Sequence, residues 1–180
     1  MKKRMIVLIL VAVVVYILVG RNAGIKYGLG QDLQLDLFWG KITTSFDNHA
    51  HVWHNDGATV AVLRFSEKNA KRLEESLEQS IVWSRTPMPE EFYYVAYERS
   101  HTWAEPKLFV NMAKVPEITN GYWFFIDQDI HGNGTLVYGQ KALEQLGVYP
   151  LAGEIDLPGR YALALYDLDT HTLYYFQRDL

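Results

Sequence analysis

Tyr161-Ala162-Leu163-Ala164-Leu165-Tyr166 and Thr172-Leu173-Tyr174-Tyr175-Phe176-Gln177 flank the polar stretch Asp167-Leu168-Asp169-Thr170-His171. Two short runs rich in aromatic and aliphatic residues, joined by turn formers, read as a β-hairpin. That hairpin commits the C-terminal end of the chain to antiparallel sheet. Working outward from it, Tyr122–Ile126 (YWFFI) and Lys107–Met112 have the same apolar strand character. Pro116–Gly121 reads as a turn region between them, Asp127–Gly134 as loop, and Tyr138–Leu146 as one or two helical turns.

Further toward the N-terminus, Leu33, Leu35, Leu37 and Trp39 alternate with Gln34 and Asp36, the period-two pattern of a strand. After Gly40 the phase switches to Ile42, Thr44 and Phe46, which predicts a bulge or bend. Asp47–Gly57 is polar and ends in the turn signal Asn55-Asp56-Gly57. Thr59–Phe65 (TVAVLRF) is apolar on both sides, as for a strand covered on both faces. The two runs predict a long hairpin.

Ser66 can cap a helix whose buried stripe is Ala70, Leu73, Leu77 and Ile81, predicted over Glu67–Trp83. Glu67 suits the first turn and forms an i,i+4 pair with Lys71. Pro87 and Pro89 stop its continuation. Glu90–Glu98 (EEFYYVAYE) fits a short helix or a strand, and the helix is preferred. The expected fold class is therefore α+β: a mainly antiparallel sheet with one amphipathic helix packed on it, preceded by an N-terminal hydrophobic helix.

That leading segment is Met1-Lys2-Lys3-Arg4 followed by fifteen uninterrupted apolar residues from Met5 to Val19. A basic leader before an apolar run is a membrane-delivery pattern. At about 1.5 Å per residue the run reaches roughly 23 Å, short of the roughly 30 Å hydrocarbon core, so snorkelling cations or local thinning would have to close the gap. Leu18-Val19-Gly20 fits a cleavage site poorly, and with no cysteine in the chain a lipidated cysteine is excluded. A signal-anchor over residues 1–20 is thus preferred to a removed signal peptide, which would leave a secreted protein. Residues 21–31, with Gly24, Gly28 and Gly30, read as a tether without helical or strand periodicity. Residues 32–180 form a single extracytoplasmic domain, because Lys2, Lys3 and Arg4 hold the N-terminus inside. The expected location is the cell membrane, single-pass, with residues 5–20 in the lipid bilayer.

Five of the 17 cations and none of the 21 acids lie in residues 1–26, leaving about −9 on the rest. Nucleic acid is excluded as a partner on that charge, as is docking of the domain on an anionic bilayer surface. Without cysteine the exported domain must be held by its core alone, which about 150 residues can supply.

The residue types that carry chemistry gather at one place. Asp47, His49 and His51 share one side of an extended chain, with His54 and Asp56 following. Such a group could hold Zn²⁺ or another transition metal, or titrate near neutral pH. Against a metal, same-face strand positions stand roughly 7 Å apart at Cβ, while zinc requires ligands at about 2 Å. A solvated polar hairpin is the preferred reading, and no metal or other cofactor is expected. Asp127, Asp129 and Gly132 match the start of a calcium loop, but Tyr138 stands where its bidentate glutamate belongs. Aromatic residues cluster at Phe92-Tyr93-Tyr94, Tyr122-Trp123-Phe124-Phe125 and Tyr174-Tyr175-Phe176. Exposed, they could stack on glycan; as strand residues about half of each cluster points inward, and core is the preferred reading. Glu98, Ser100 and His101 are sequence neighbours, which cannot establish a triad.

Three segments, His54-Asn55-Asp56-Gly57 with Val60–Ser66, Pro116-Glu117-Ile118 through Asn120–Phe125, and Ala164–Phe176, resemble a loose group of small membrane-anchored or secreted proteins of Gram-positive bacteria. The resemblance implies export and a shared small fold, and brings no activity with it. The expectation for function is binding or scaffolding at the cell envelope, with an envelope protein or a wall polymer as partner. The alternative is a metal-dependent enzyme or pH-sensing domain using His49, His51 and His54.

Overall fold

Tyr161–Asp167 and Thr172–Asp179 pair antiparallel in unbroken register, from Asp167 opposite Thr172 to Tyr161 opposite Arg178. The computed structural model in which they are seen describes residues 20, 22–47, 57–98, 113–131, 135–144, 147–149, 154–156 and 159–179. In chain order the elements are helix α1 (22–33), strands β1 (Lys41–Asp47) and β2 (Gly57–Arg64), and helix α2 (Glu67–Glu78). There follow the two-residue strand β3 (Ser84–Arg85) and a helix α3 that starts as α (Glu90–Tyr93) and widens to π (Tyr94–Glu98). Then come β4 (Gly121–His131), β5 (Thr135–Tyr138), helix α4 (Gly139–Glu144), the small pair β6 (Gly147–Tyr149) and β7 (Glu154–Asp156), and the hairpin β8 and β9 described above.

Seven strands form one antiparallel sheet in the order β1-β2-β9-β8-β4-β3, with β5 also on β4, while β6 and β7 pair separately. The protein is thus mixed helix and antiparallel sheet, as the strand patterns predict. The central strands are apolar on both sides because both sides are covered. On one face Val60, Val62, Trp123, Phe125, Leu163, Leu165 and Phe176 meet Phe92, Val95 and Ala96 of α3. The Phe92 and Trp123 rings lie 4.9 Å apart there, and Phe125–Tyr161–Phe176 form a chain of rings at 5.9 Å steps. Alternation sends Leu63, Phe124, Tyr166 and Tyr175 to the other face, where they are equally buried. Ala70, Leu73 and Leu77 give α2 its buried stripe, and a bond from Tyr166 to Glu74 places α2 over that face.

The preferred reading of the strand aromatics as core holds, and further than alternation alone implies: Tyr122, Trp123, Phe124, Phe125, Tyr174, Tyr175 and Phe176 are all buried, on both faces of the sheet. Several other expectations are corrected. Helix α2 stops at Glu78 rather than Trp83, so Ile81 falls past its end and stands 97 % exposed. Asp127–His131, expected as loop, continues β4, because β5 supplies a partner along that edge. The slip in β1 falls between Ile42 and Thr44 rather than at Gly40. The expected strand at Lys107–Met112 and the N-terminal hydrophobic helix at residues 1–19 lie outside the described residues. No helix among the described residues is long and apolar enough to cross a membrane.

Residues up to Gly40 form a unit of their own. Here the expected irregular tether is helical, and the expected strand Leu33–Trp39 is a helix end and a turn. The helix closes with two backbone bonds, Leu35 N–H to the Gly30 carbonyl at 3.0 Å and Gln34 N–H to that of Gln31 at 3.4 Å. Gln34 sits at φ 55°. This is the paired closure of a Schellman motif, with Gln34 at the left-handed position that glycine usually fills. The reversal allows Leu33, Leu35 and Leu37 all to be buried, which mimics strand alternation in the sequence.

Candidate functional site

Of the residues singled out for metal binding, Asp47 is the exposed last residue of β1, opposite Thr59. His49, His51 and His54, with Asp56, lie outside the described residues, as do Ser100 and His101. Asp127 is buried within β4, opposite Tyr161 on one side and Val137 on the other, a strand position rather than the start of a cation loop. Asp129 continues the same strand. Among the described residues no group of three or more His, Cys, Asp or Glu side chains is placed to hold a metal ion.

The structure assembles two other constellations. In the first, Oε1 of Glu74 on α2 accepts the Tyr166 hydroxyl at 3.0 Å and faces Nδ1 of His171 at 3.2 Å. The three come together because the β8–β9 turn is held rigidly. Asp167 Oδ1 accepts the Asp169 N–H at 2.9 Å and its Oδ2 accepts the Thr170 hydroxyl at 2.6 Å. Asn120 Nδ2 donates to Asp169 at 2.7 Å, and the Phe65 N–H to the His171 carbonyl at 2.9 Å. His171 itself adopts φ 51°, which swings its ring toward α2. Burial, and then the adjacent Glu74 carboxylate, push the Tyr166 hydroxyl above the ordinary phenol range. The trio contains no serine, cysteine or lysine nucleophile, and a phenol held neutral is neither base nor nucleophile near pH 7. Its chemistry is to fasten helix to hairpin.

The second constellation is on the N-terminal unit. Lys26 of α1 reaches across the turn, its Nζ donating to the Phe38 carbonyl at 2.9 Å and lying 5.7 Å from the Phe38 ring centre. Asp36 Oδ1 accepts the Phe38 N–H at 3.0 Å, and the Gly40 N–H closes on the Leu37 carbonyl at 3.0 Å. Phe38 and Trp39 stand edge to face with centres 4.8 Å apart. Between helix and turn is an open cleft of about 540 Å³, lined by Lys26, Tyr27, Gly30, Gln34, Asp36 and Phe38 among others. Tyr27, Phe38 and Trp39 are the exposed large aromatic side chains of the described residues. Sequence reasoning assigned these residues to a tether and a strand, although Tyr, Phe and Trp soon after an apolar run are themselves a recognisable composition at a membrane boundary.

No family model, no curated protein and no solved structure matches this chain.

Proposed function

We propose that this chain is a membrane-anchored, outward-facing α+β domain that acts at the cell envelope by binding or scaffolding, through contact with an envelope protein or a wall polymer. The observation that carries the reading is the fifteen-residue apolar run Met5–Val19 behind Lys2-Lys3-Arg4. The charge of about −9 on the remainder supports a domain kept in solution beside like-charged surfaces. The polar groups at the helix–hairpin contact support it too, since Glu74, Tyr166 and His171 join α2 to the β8–β9 hairpin and Asp167 closes its turn.

The test is made on intact cells. The full-length chain is expected in the membrane fraction, resistant to alkaline carbonate extraction, with its domain digested by protease added from outside. A photo-crosslinking side chain at exposed Ile81 or Leu136 is expected to give a discrete adduct. A chain found soluble in the cytosol would overturn the anchor, and the absence of any adduct at both positions would overturn binding.

A further inference from the structure

We infer that the helix-and-turn unit of residues 22–39 is seated in the lipid–water interface, with Tyr27, Phe38 and Trp39 as an aromatic collar and Lys26 as its phosphate-facing cation. The inference deepens the proposed function and rests on its anchor. It begins with exposure: Tyr27 is 72 %, Phe38 61 % and Trp39 54 % exposed, costly in water for rings of this size. The two other exposed large apolar residues among those described, Ile81 and Leu136, are aliphatic and stand far along the chain.

The position of the rings follows from helix geometry. The apolar run Met5–Val19 falls short of the hydrocarbon core by about 7 Å, or about five residues of helix. Counted on from Val19, that distance is used up at Gly24, so Lys26 and Tyr27 follow at the outer boundary. Residues Phe38 and Trp39 are twelve or more positions later, yet the Lys26 bond to the Phe38 carbonyl returns them to the level of Lys26. The turn thus delivers two further rings to the depth that Tyr27 already occupies.

The occupant is the headgroup layer of the bilayer that holds the anchor. Tyr and Trp favour that layer because a flat apolar body and a polar edge are both satisfied there. The unit carries one cation, Lys26, against two carboxylates, Asp36, bound to the Phe38 N–H, and Asp32, further along α1, a net charge of −1 that gives no attraction to anionic lipid. Seating therefore depends on the rings, and zwitterionic lipid suffices.

The chain has no cysteine, so a single introduced thiol is a unique label. Tyr27→Cys, Phe38→Cys, Trp39→Cys and the control Ile81→Cys are labelled with a small fluorophore. Each full-length protein is reconstituted into phosphatidylcholine vesicles brominated on the upper acyl carbons. Quenching at positions 27, 38 and 39 is expected to exceed that at 81 by at least about threefold. Three collar positions no more quenched than position 81, on protein that floats with the vesicles, would overturn the collar and leave the anchor standing. Protein that fails to float would overturn the anchor, and the collar with it.

Discussion

The hydroxyl of Tyr166 donates to Oε1 of Glu74 at 3.0 Å, joining helix α2 to a strand 92 residues later. Tyr166 is fully buried and Glu74 partly so, which means that neither group can replace the bond freely with water. Tyr166→Phe keeps the ring and its 6.3 Å contact with Phe65 but leaves the carboxylate facing His171 alone. A bond to a charged acceptor in this setting contributes about 2 kcal/mol. Urea unfolding of Tyr166→Phe should show a loss of that size with an unchanged m-value.

High pH is expected to unfold this protein in a defined way. Tyr97, Tyr166 and Tyr174 all have hydroxyls pushed above the ordinary phenol value of about 10, chiefly by burial. In the folded state they keep their protons at a pH where the unfolded chain has lost them. Their contribution is therefore complete below about pH 10 and declines as pH rises from there toward the folded values. Each contributes a fall of up to about 1.4 kcal/mol per pH unit above pH 10. Stability measured from pH 8 to 12 should be level in these tyrosines below pH 10 and then fall. Tyr166→Phe should have the shallower decline.

Residues Leu77 and Ile81 separate what was legible in the sequence from what was not. Both lie on one helical stripe by spacing, yet Leu77 is 1 % exposed and Ile81 97 %. The periodicity located α2 and its buried face correctly, but no strong stop signal marks Glu78 as its end. Here Ser80 takes over, its hydroxyl accepting the N–H groups of Val82 and Trp83 at 3.2 and 3.3 Å. Leu77→Ala should cost about 3 kcal/mol and Ile81→Ala no more than about 0.5 kcal/mol, measured side by side in denaturant.

The N-terminal unit was misread for a related reason. Three glycines hide the α1 pattern, and its closing residue is Gln34 where glycine would have announced the end. The aromatic turn was invisible because Lys26 and Phe38 meet only after that reversal. Glu74, Tyr166 and His171 escaped notice in the same way, since contacts 92 and 97 residues apart leave no local pattern. What could be read locally, the β8–β9 hairpin and the β2 strand, could be read because alternation and turn chemistry act between near neighbours. A left-handed conformation at a non-glycine residue costs roughly 1–2 kcal/mol. Gln34→Gly removes that strain at the expense of a more flexible unfolded chain. The expected result is a gain of up to about 1 kcal/mol, read as slower hydrogen exchange at the amides of residues 34 and 35, the two donors of the closing bonds.

Gly121 is the reverse case, a glycine that the packing demands. It opens β4 opposite Asp167, and a Cβ placed there would run into the backbone carbonyl oxygen of Tyr166 and come within 2.9 Å of Ile118 Cγ2. The carbonyl is fixed by the β8 ladder, so relief would require the strands to part. The consequence reaches further, because Thr86 is bonded to Gly121 twice. Its N–H donates to the Gly121 carbonyl at 3.0 Å and its hydroxyl accepts the Gly121 N–H at 3.2 Å. The next residue, Tyr122, accepts an Arg85 N–H at its hydroxyl at 3.0 Å, so β3 hangs from the same point. Gly121→Ala should therefore cost about 3 kcal/mol, at the upper end for one added methyl group. The loss should be accompanied by faster proteolysis at residues 84–89, while Gly28→Ala, with nothing within 4 Å of the new methyl, should leave stability unchanged or slightly raised.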